Sequence, residues 1–328
     1  MTQELIRAAV VDIGSNTIKM TIYDYNRRTG QLSERRRRTV NAGLIAYVQQ
    51  GLLTEAGINV LVKAVRELKA IAAADHCSRV YPFATAGLRA AANSRAVIEI
   101  VRRETGLYID LISGDSEARL TFDSLLPSLD PAITSGMVID MGGGSTEFVG
   151  FARRRAQKNV SLRLGALVLY NKFVTNILPT PREANKIRAH VTSRLANHPW
   201  THEYGSVLYI NGGTGRTLAR LHALQRGMES ELPYTISYSD MEALMNQITS
   251  MDKDVKQLLV KEVSTRIHTF PAGLAALLGI MDYTGTDQVV ITTASIREGY
   301  LLRRLNREEN RRSEPEEETQ VETEEETE

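Results

Sequence analysis

Short apolar runs alternate with helix-period segments along this chain. Ala8-Ala9-Val10-Val11 and Met20-Thr21-Ile22-Tyr23 predict two buried strands around a tight polar turn. From Thr54 the period becomes helical. Ile58, Leu61, Val65 and Leu68 share one face, and Thr54 is placed to be the N-cap. A short strand is expected at Val80-Tyr81-Pro82-Phe83, then a helix over 93–104 stopped by Gly106, a strand over 107–112 and a helix beginning near Asp115. The second half opens as the first does, with a strand over 136–140, a glycine turn, and Glu147-Phe148-Val149. Helices are expected over 181–198, 214–223, 239–250, 272–283 and 295–308, the third of them started by a Ser239/Glu242 capping box. Val207–Ile210 and Val289–Ile291 add short strands. This alternation predicts an α/β architecture with parallel or mixed sheets.

The two openings repeat. Val10-Val11-Asp12-Ile13-Gly14-Ser15-Asn16-Thr17 aligns with Val138-Ile139-Asp140-Met141-Gly142-Gly143-Gly144-Ser145, so that Asp12 matches Asp140. A duplicated domain with a cleft between its copies produces such a pattern. The expected division is lobe I over 1–125 and lobe II over 126–297, with a C-terminal helix over 298–308 that packs back on lobe I.

Composition narrows the function. A 328-residue chain that is 42% hydrophobic can form a sizeable core. One cysteine, Cys77, excludes a disulfide framework and a cysteine-based zinc or iron–sulfur site. The N-terminus has no apolar signal core, and no run of about 18 apolar residues occurs, so the expectation is a soluble, cytoplasmic protein. The net charge is +1, but residues 313–328 hold nine glutamates and no Lys or Arg; without them it is +10. Residues 309–328 are expected to form a disordered acidic tail. The basic body attracts polyanions. Arg35-Arg36-Arg37-Arg38 extends a polyanion track or forms a solvated edge.

Chemistry concentrates in the two turns. Gly14, Gly142, Gly143 and Gly144 let the backbone approach a ligand, and successive N–H groups there form an anion nest. Ser15, Thr17, Ser145 and Thr146 add hydroxyl donors. Asp12 and Asp140 sit where Mg²⁺ needs an oxygen ligand, since that ion takes one or two carboxylates beside phosphate oxygens and waters. GxxxxGK[ST], GxSxG and HExxH are absent, and neither turn holds GxGxxG.

Taken together, several motifs resemble the exopolyphosphatase / guanosine pentaphosphate phosphatase (Ppx/GppA) family over residues 8–308. They are Val11–Thr17, Ala84–Asn93, Ile112–Leu120, Ile139–Glu147, Gly212-Gly213-Thr214 and Ile296–Gly299, in matching order and spacing. The resemblance implies two actin-like (ribonuclease H-like) lobes of the actin–hexokinase–heat-shock-protein superfamily, with an interlobe cleft. It also implies roles. Glu117 is the catalytic carboxylate that orients and deprotonates water. Asp140 is a metal-linked acid and Glu147 a second acid at the same centre. Gly14-Ser15-Asn16 and Gly143-Gly144-Ser145 are the phosphate loops, with Arg89 and Arg266 as phosphate clamps. Two departures stand out. Ser116 occupies the first of the two consecutive acids usual in the family, and Ser295-Ile296 replaces a glycine-leucine pair.

The function so implied is Mg²⁺-dependent, processive release of orthophosphate from the end of inorganic polyphosphate. One alternative is removal of the 5′ terminal phosphate of guanosine pentaphosphate. Another is a non-catalytic polyphosphate- or nucleotide-binding module, which Ser116 favours and Glu117 with Asp140 opposes. No membrane and no specific nucleic acid are expected as partners, and a homodimer is a family expectation.

Overall fold

The computed structural model describes residues 5–204 and 207–313. The first lobe runs β1 (Leu5–Ile13), β2 (Thr17–Asn26), β3 (Leu32–Asn41), a small ribbon of β4 (Val48–Gln49) and β5 (Leu52–Leu53), α1 (Glu55–Ala74), β6 (Arg79–Ala84), α2 (Ala86–Arg89), α3 (Ser94–Thr105), β7 (Asp110–Leu111) and α4 (Gly114–Leu125). The second runs β8 (Ser135–Met141), β9 (Thr146–Ala152), β10 (Arg155–Leu162), α5 (Ala166–Phe173), α6 (Pro181–Leu195), α7 (Trp200–Glu203), β11 (Leu208–Gly212), α8 (Gly213–Gln225), β12 (Tyr234–Ser237), α9 (Tyr238–Thr249), α10 (Lys253–Glu262), α11 (Thr269–Thr284) and β13 (Gln288–Ile291). Helix α12 (Ile296–Ser313) closes the described chain.

The duplication is real at the level of topology. The first sheet is ordered β3-β2-β1-β6-β7 and the second β10-β9-β8-β11-β13-β12. In each, a three-stranded antiparallel meander is followed by two parallel strands, and β12 adds an antiparallel edge to the second sheet. The α/β fold with mixed sheets is therefore the one expected.

Burial explains why β1 reads as an unbroken apolar run. Ala9, Val11 and Ile13 pack with α1 and α3 on one face, while Ile6, Ala8 and Val10 meet Ile296, Tyr300, Leu301 and Leu305 of α12 on the other. Helix α4 lies between the lobes. Its Ala118, Phe122 and Leu125 pack on Val138, Val149 and Phe151 of the second sheet, while Leu120 joins the α12 cluster.

The structure corrects several expectations. Helix α9 is capped by Ser237, whose hydroxyl accepts from the Asp240 amide at 3.1 Å, not by Ser239. The helix starts directly where β12 ends, which brings its cap two residues earlier. The strand expected over 107–112 is only Asp110–Leu111. Strands β3 and β10 are outer strands without apolar alternation, β3 and the first half of β10 being solvent-exposed, so periodicity missed them. Helix α12 runs to Ser313, past the expected start of the tail at 309, and the rest of that tail lies outside the described residues. Among the described residues no helix is long and apolar enough to cross a membrane.

Candidate active site

Each lobe contributes one strand–turn–strand unit, and the two units close alike. The Gly14 amide donates to the Thr17 carbonyl at 3.1 Å, and the Gly142 amide to the Ser145 carbonyl at 3.0 Å. Asp12 sits opposite Lys19 in the first pair of strands, and Asp140 opposite Glu147 in the second. Lys19 and Glu147 are thus equivalent positions of the duplication, one carrying a cation and the other an acid. Among the described residues, the amides of Ser15, Asn16, Gly143 and Gly144 have no backbone acceptor, which leaves them available to an anion.

The turns meet. A Cβ on Gly144 would collide with Ser15 Oγ, and one on Gly87 would lie 2.7 Å from Ser15 Cα. Only glycine permits this approach. The pair of turns therefore forms a wall between two spaces. Gly14, Asn16, Thr17, Gly142 and Gly143 line a cleft of about 470 Å³, whereas Ser15, Gly144 and Ser145 line a cavity of about 250 Å³ on the other side. The Thr146 hydroxyl faces neither; it is buried and donates to the Leu164 carbonyl at 3.0 Å.

The cleft holds the acids. Glu117 stands in the first turn of α4, whose start is capped by Ser113 accepting from the Ser116 amide at 3.1 Å. Glu117 is 8% exposed as a residue, and Glu147 only 2%. Arg89 Nη1 donates to Glu117 Oε2 at 2.9 Å, and Ser161 Oγ to Glu147 Oε1 at 2.7 Å. Burial holds Glu117 well above the usual carboxylate range, and the neighbouring Glu147 charge pushes it further, against the pull of Arg89. Glu147 is raised by burial and by Asp140. Asp140 is raised by burial, with Arg216 and Lys19 opposing. Ser116, where a second acid is usual, bonds to Ser113 at the helix cap and does not line the cleft.

Cations converge from four segments. Arg297 of α12 places Nη1 3.2 Å from Asp12 Oδ2 and donates from Nε to Thr21 Oγ1 at 3.0 Å. Arg216 of α8 and Arg266, in the turn before α11, also line the cleft, and burial lowers both pKa values. The Arg266 guanidinium lies over Gly213, where any side chain would overlap it. Lys19 is lowered to about 8, first by burial and then by the surrounding arginines, against Asp12.

The structure thus brings Glu117, Glu147, Asp12, Asp140, Arg266, Gly14, Asn16, Thr17, Gly142 and Gly143 to one cleft, leaves Ser15, Gly144 and Ser145 on the other side of the turns, and turns Arg89 onto Glu117. The sequence assigns no role to Lys19, Arg216 or Arg297. Lys19 could have been found from strand alternation, since it is level with Asp12 across the turn. Arg297 lies inside the Ile296–Gly299 motif and Arg216 just after Gly212-Gly213-Thr214, but nothing local marks either as a cleft cation.

Comparison with known proteins follows this geometry. A model of the Ppx/GppA phosphatase family matches residues 22–308. Exopolyphosphatase 1 of Mycobacterium tuberculosis H37Rv is 27% identical over 307 residues, covering 92% of this chain and 89% of that one. The crystal structure of an Aquifex aeolicus Ppx/GppA family member superposes with a TM-score of 0.75 at 25% identity, covering 93% of this chain and 99% of that one. An exopolyphosphatase from Cytophaga hutchinsonii shares the fold with a TM-score of 0.81 at 19% identity, covering 92% and 98%.

Proposed function

The chain belongs to the Ppx/GppA phosphatase family, and we propose that within it the chain is an exopolyphosphatase that releases orthophosphate from the end of inorganic polyphosphate. One observation carries this reading: a buried acid, Glu117, faces Glu147 and Asp140 in a cleft that four cationic side chains also line. The cleft offers charges, hydroxyls and backbone amides, which suit a chain of phosphates. Lobes over 1–125 and 126–297 are the two bodies that hold it.

Phosphoanhydride hydrolysis asks the protein for an in-line water, a group to orient it and compensation of oxygen charge. Glu117 is that group: it accepts the proton as water attacks the terminal phosphorus, and its raised pKa suits it to the task. Glu147, fixed by Ser161, positions the water from the other side. The free amides of Asn16 and Gly143, which line the cleft, donate to phosphate oxygens, and Lys19, Arg216, Arg266 and Arg297 neutralise them. Arg89 sets the orientation of Glu117 and reaches phosphate only when that ion pair opens.

The donor set fits a hard divalent cation. Asp140 is raised by burial and by Asp12, so positive charge beside the two is favoured. Among the described residues no group of three or more His, Cys, Asp or Glu is placed to hold a metal ion, so the protein would supply at most two carboxylates and the substrate phosphates and waters the rest. Asp140 and the free oxygen of Asp12 would hold the ion, which when bound supplies positive charge to the phosphate oxygens.

The test measures orthophosphate release from long-chain polyphosphate, guanosine pentaphosphate and ATP, with Mg²⁺ and with chelator. Polyphosphate turnover should need Mg²⁺ and fall about 100- to 10,000-fold in Glu117→Gln. A preference for guanosine pentaphosphate would replace the substrate, and unchanged turnover in Glu117→Gln would remove the assigned base.

A further inference from the structure

Where the rest of a long substrate lies is a separate question. The arginine run on β3 is a poor track, because three of its members are held by carboxylates. Arg35 pairs with Asp24, Arg36 with Asp75 at 2.7 Å, and Arg37 with Glu34.

A different surface has unpaired charge. Beyond the turns, a cavity of about 530 Å³ is lined by Arg163 at the end of β10, Lys172 on α5, and His190 and Arg194 one helical turn apart on α6. Lys172 Nζ lies 3.4 Å from His190 Nε2. Burial lowers the His190 pKa, and the charges of Lys172 and Arg194 lower it further. Among the described residues, Arg163, Lys172 and Arg194 have no carboxylate partner, and no acid lines the cavity.

This cavity is continuous with the back of the phosphate turns. It shares Ile45, Arg163 and Val168 with the space of about 250 Å³ that Ser15, Gly144, Ser145 and Arg89 line. No acid lines that space either. Three like charges gathered beside a half-buried histidine repel one another, and an anion lying among them removes that cost.

We propose that this groove, from Ser145 past Arg163 to Lys172 and Arg194, is a second polyanion site that binds phosphates of a condensed-phosphate chain remote from the scissile end. The assignment rests on the exopolyphosphatase reading for its ligand, but not for its geometry. Occupation of the groove lowers the KM for long chains and leaves the chemical step alone.

The experiment uses the full chain with Lys172→Ala and Arg194→Ala combined; both side chains are exposed, so folding is retained. KM for long-chain polyphosphate should rise about tenfold with kcat unchanged, and its dependence on salt should become shallower. Triphosphate, which ends within the cleft, should change less than about twofold, and Lys172→Arg with Arg194→Lys should restore the wild-type KM. Equal loss on both substrates, or none on either, overturns the proposal. Direct binding of long-chain polyphosphate to Glu117→Gln, with and without the two alanines, separates the two readings. Weaker binding with the alanines supports the groove even if the wild type releases no phosphate. Unchanged binding overturns the groove even if it does. A single-stranded oligonucleotide that competes as well as polyphosphate would assign the groove to nucleic acid and overturn the proposal.

Discussion

Arg89 and Glu117 are locked together: one guanidinium nitrogen, Nη1, lies 2.9 Å from Glu117 Oε2 and 2.9 Å from the Ile112 carbonyl oxygen. The arginine comes from the short helix after β6 and the glutamate from α4, so the pair ties α2 to the helix that packs against both sheets. Arg89 lowers the pKa of Glu117, which burial and Glu147 raise. Arg89→Ala therefore moves the acidic limb of the kcat profile to higher pH, because the base then needs more alkaline conditions to ionise. At pH 7 the loss should be about tenfold or more, in line with a charged hydrogen bond worth about 1.5–3 kcal/mol. A pH–rate profile of the variant checks the direction, and an unmoved limb refutes it.

Lys19 titrates near the working range, since burial lowers it to about 8. It is charged below that pH and neutral above it, so one phosphate contact is lost as pH rises. kcat/KM, which reports the free enzyme, should fall several-fold once pH passes about 8. Lys19→Arg should flatten this limb, because guanidinium stays protonated. A limb of the same position in Lys19→Arg would assign it to another group.

Glu147 makes the fold less stable in alkali. Its folded pKa is raised by burial and by Asp140, so the native state binds this proton more tightly than the unfolded chain does. The penalty grows as pH rises from the unfolded value of about 4.3 through the raised folded one, and it is complete above. Glu147→Gln, with chelator present, should raise the melting midpoint at pH 8 by about 2–4 °C for each kcal/mol relieved. The gain should vanish near pH 4 while turnover is lost at every pH. Melting curves at both pH values decide this; a gain of the same size at each would mean the effect is packing.

Gly144 is tied to Ser15 by the contact of the two turns. Gly144→Ala should push the turns apart and lower kcat/KM about 100-fold, the scale of a misplacement by about 1 Å. Ser15→Gly added to it should recover part of that loss by opening room. A double variant no better than the product of the single losses would show that the turns are not coupled through this contact.

The strand–turn–strand units were legible because they are local. A strand buried on both faces needs apolar residues at consecutive positions, and a turn that exposes amides needs glycine, so Val10–Thr17 and Val138–Ser145 declare themselves. The same logic hid β3 and β10. They are third in their meanders, and β3 and the first half of β10 are exposed, so solvent sets the composition there and pairing with β2 and β9 makes them strands.

What the chain determined by itself is the α/β alternation and the repeat that puts Asp12 and Asp140 at equal positions; Glu117 and Glu147 stand out through the family resemblance. Only the tertiary structure decided that Arg89 rests on Glu117, that α4 lies between the lobes, and that Lys19, Arg216, Arg266 and Arg297 share a cleft. The reason is sequence separation. Arg297 is 285 residues from Asp12, and nothing local in either segment shows that α12 folds back across the first sheet to join them.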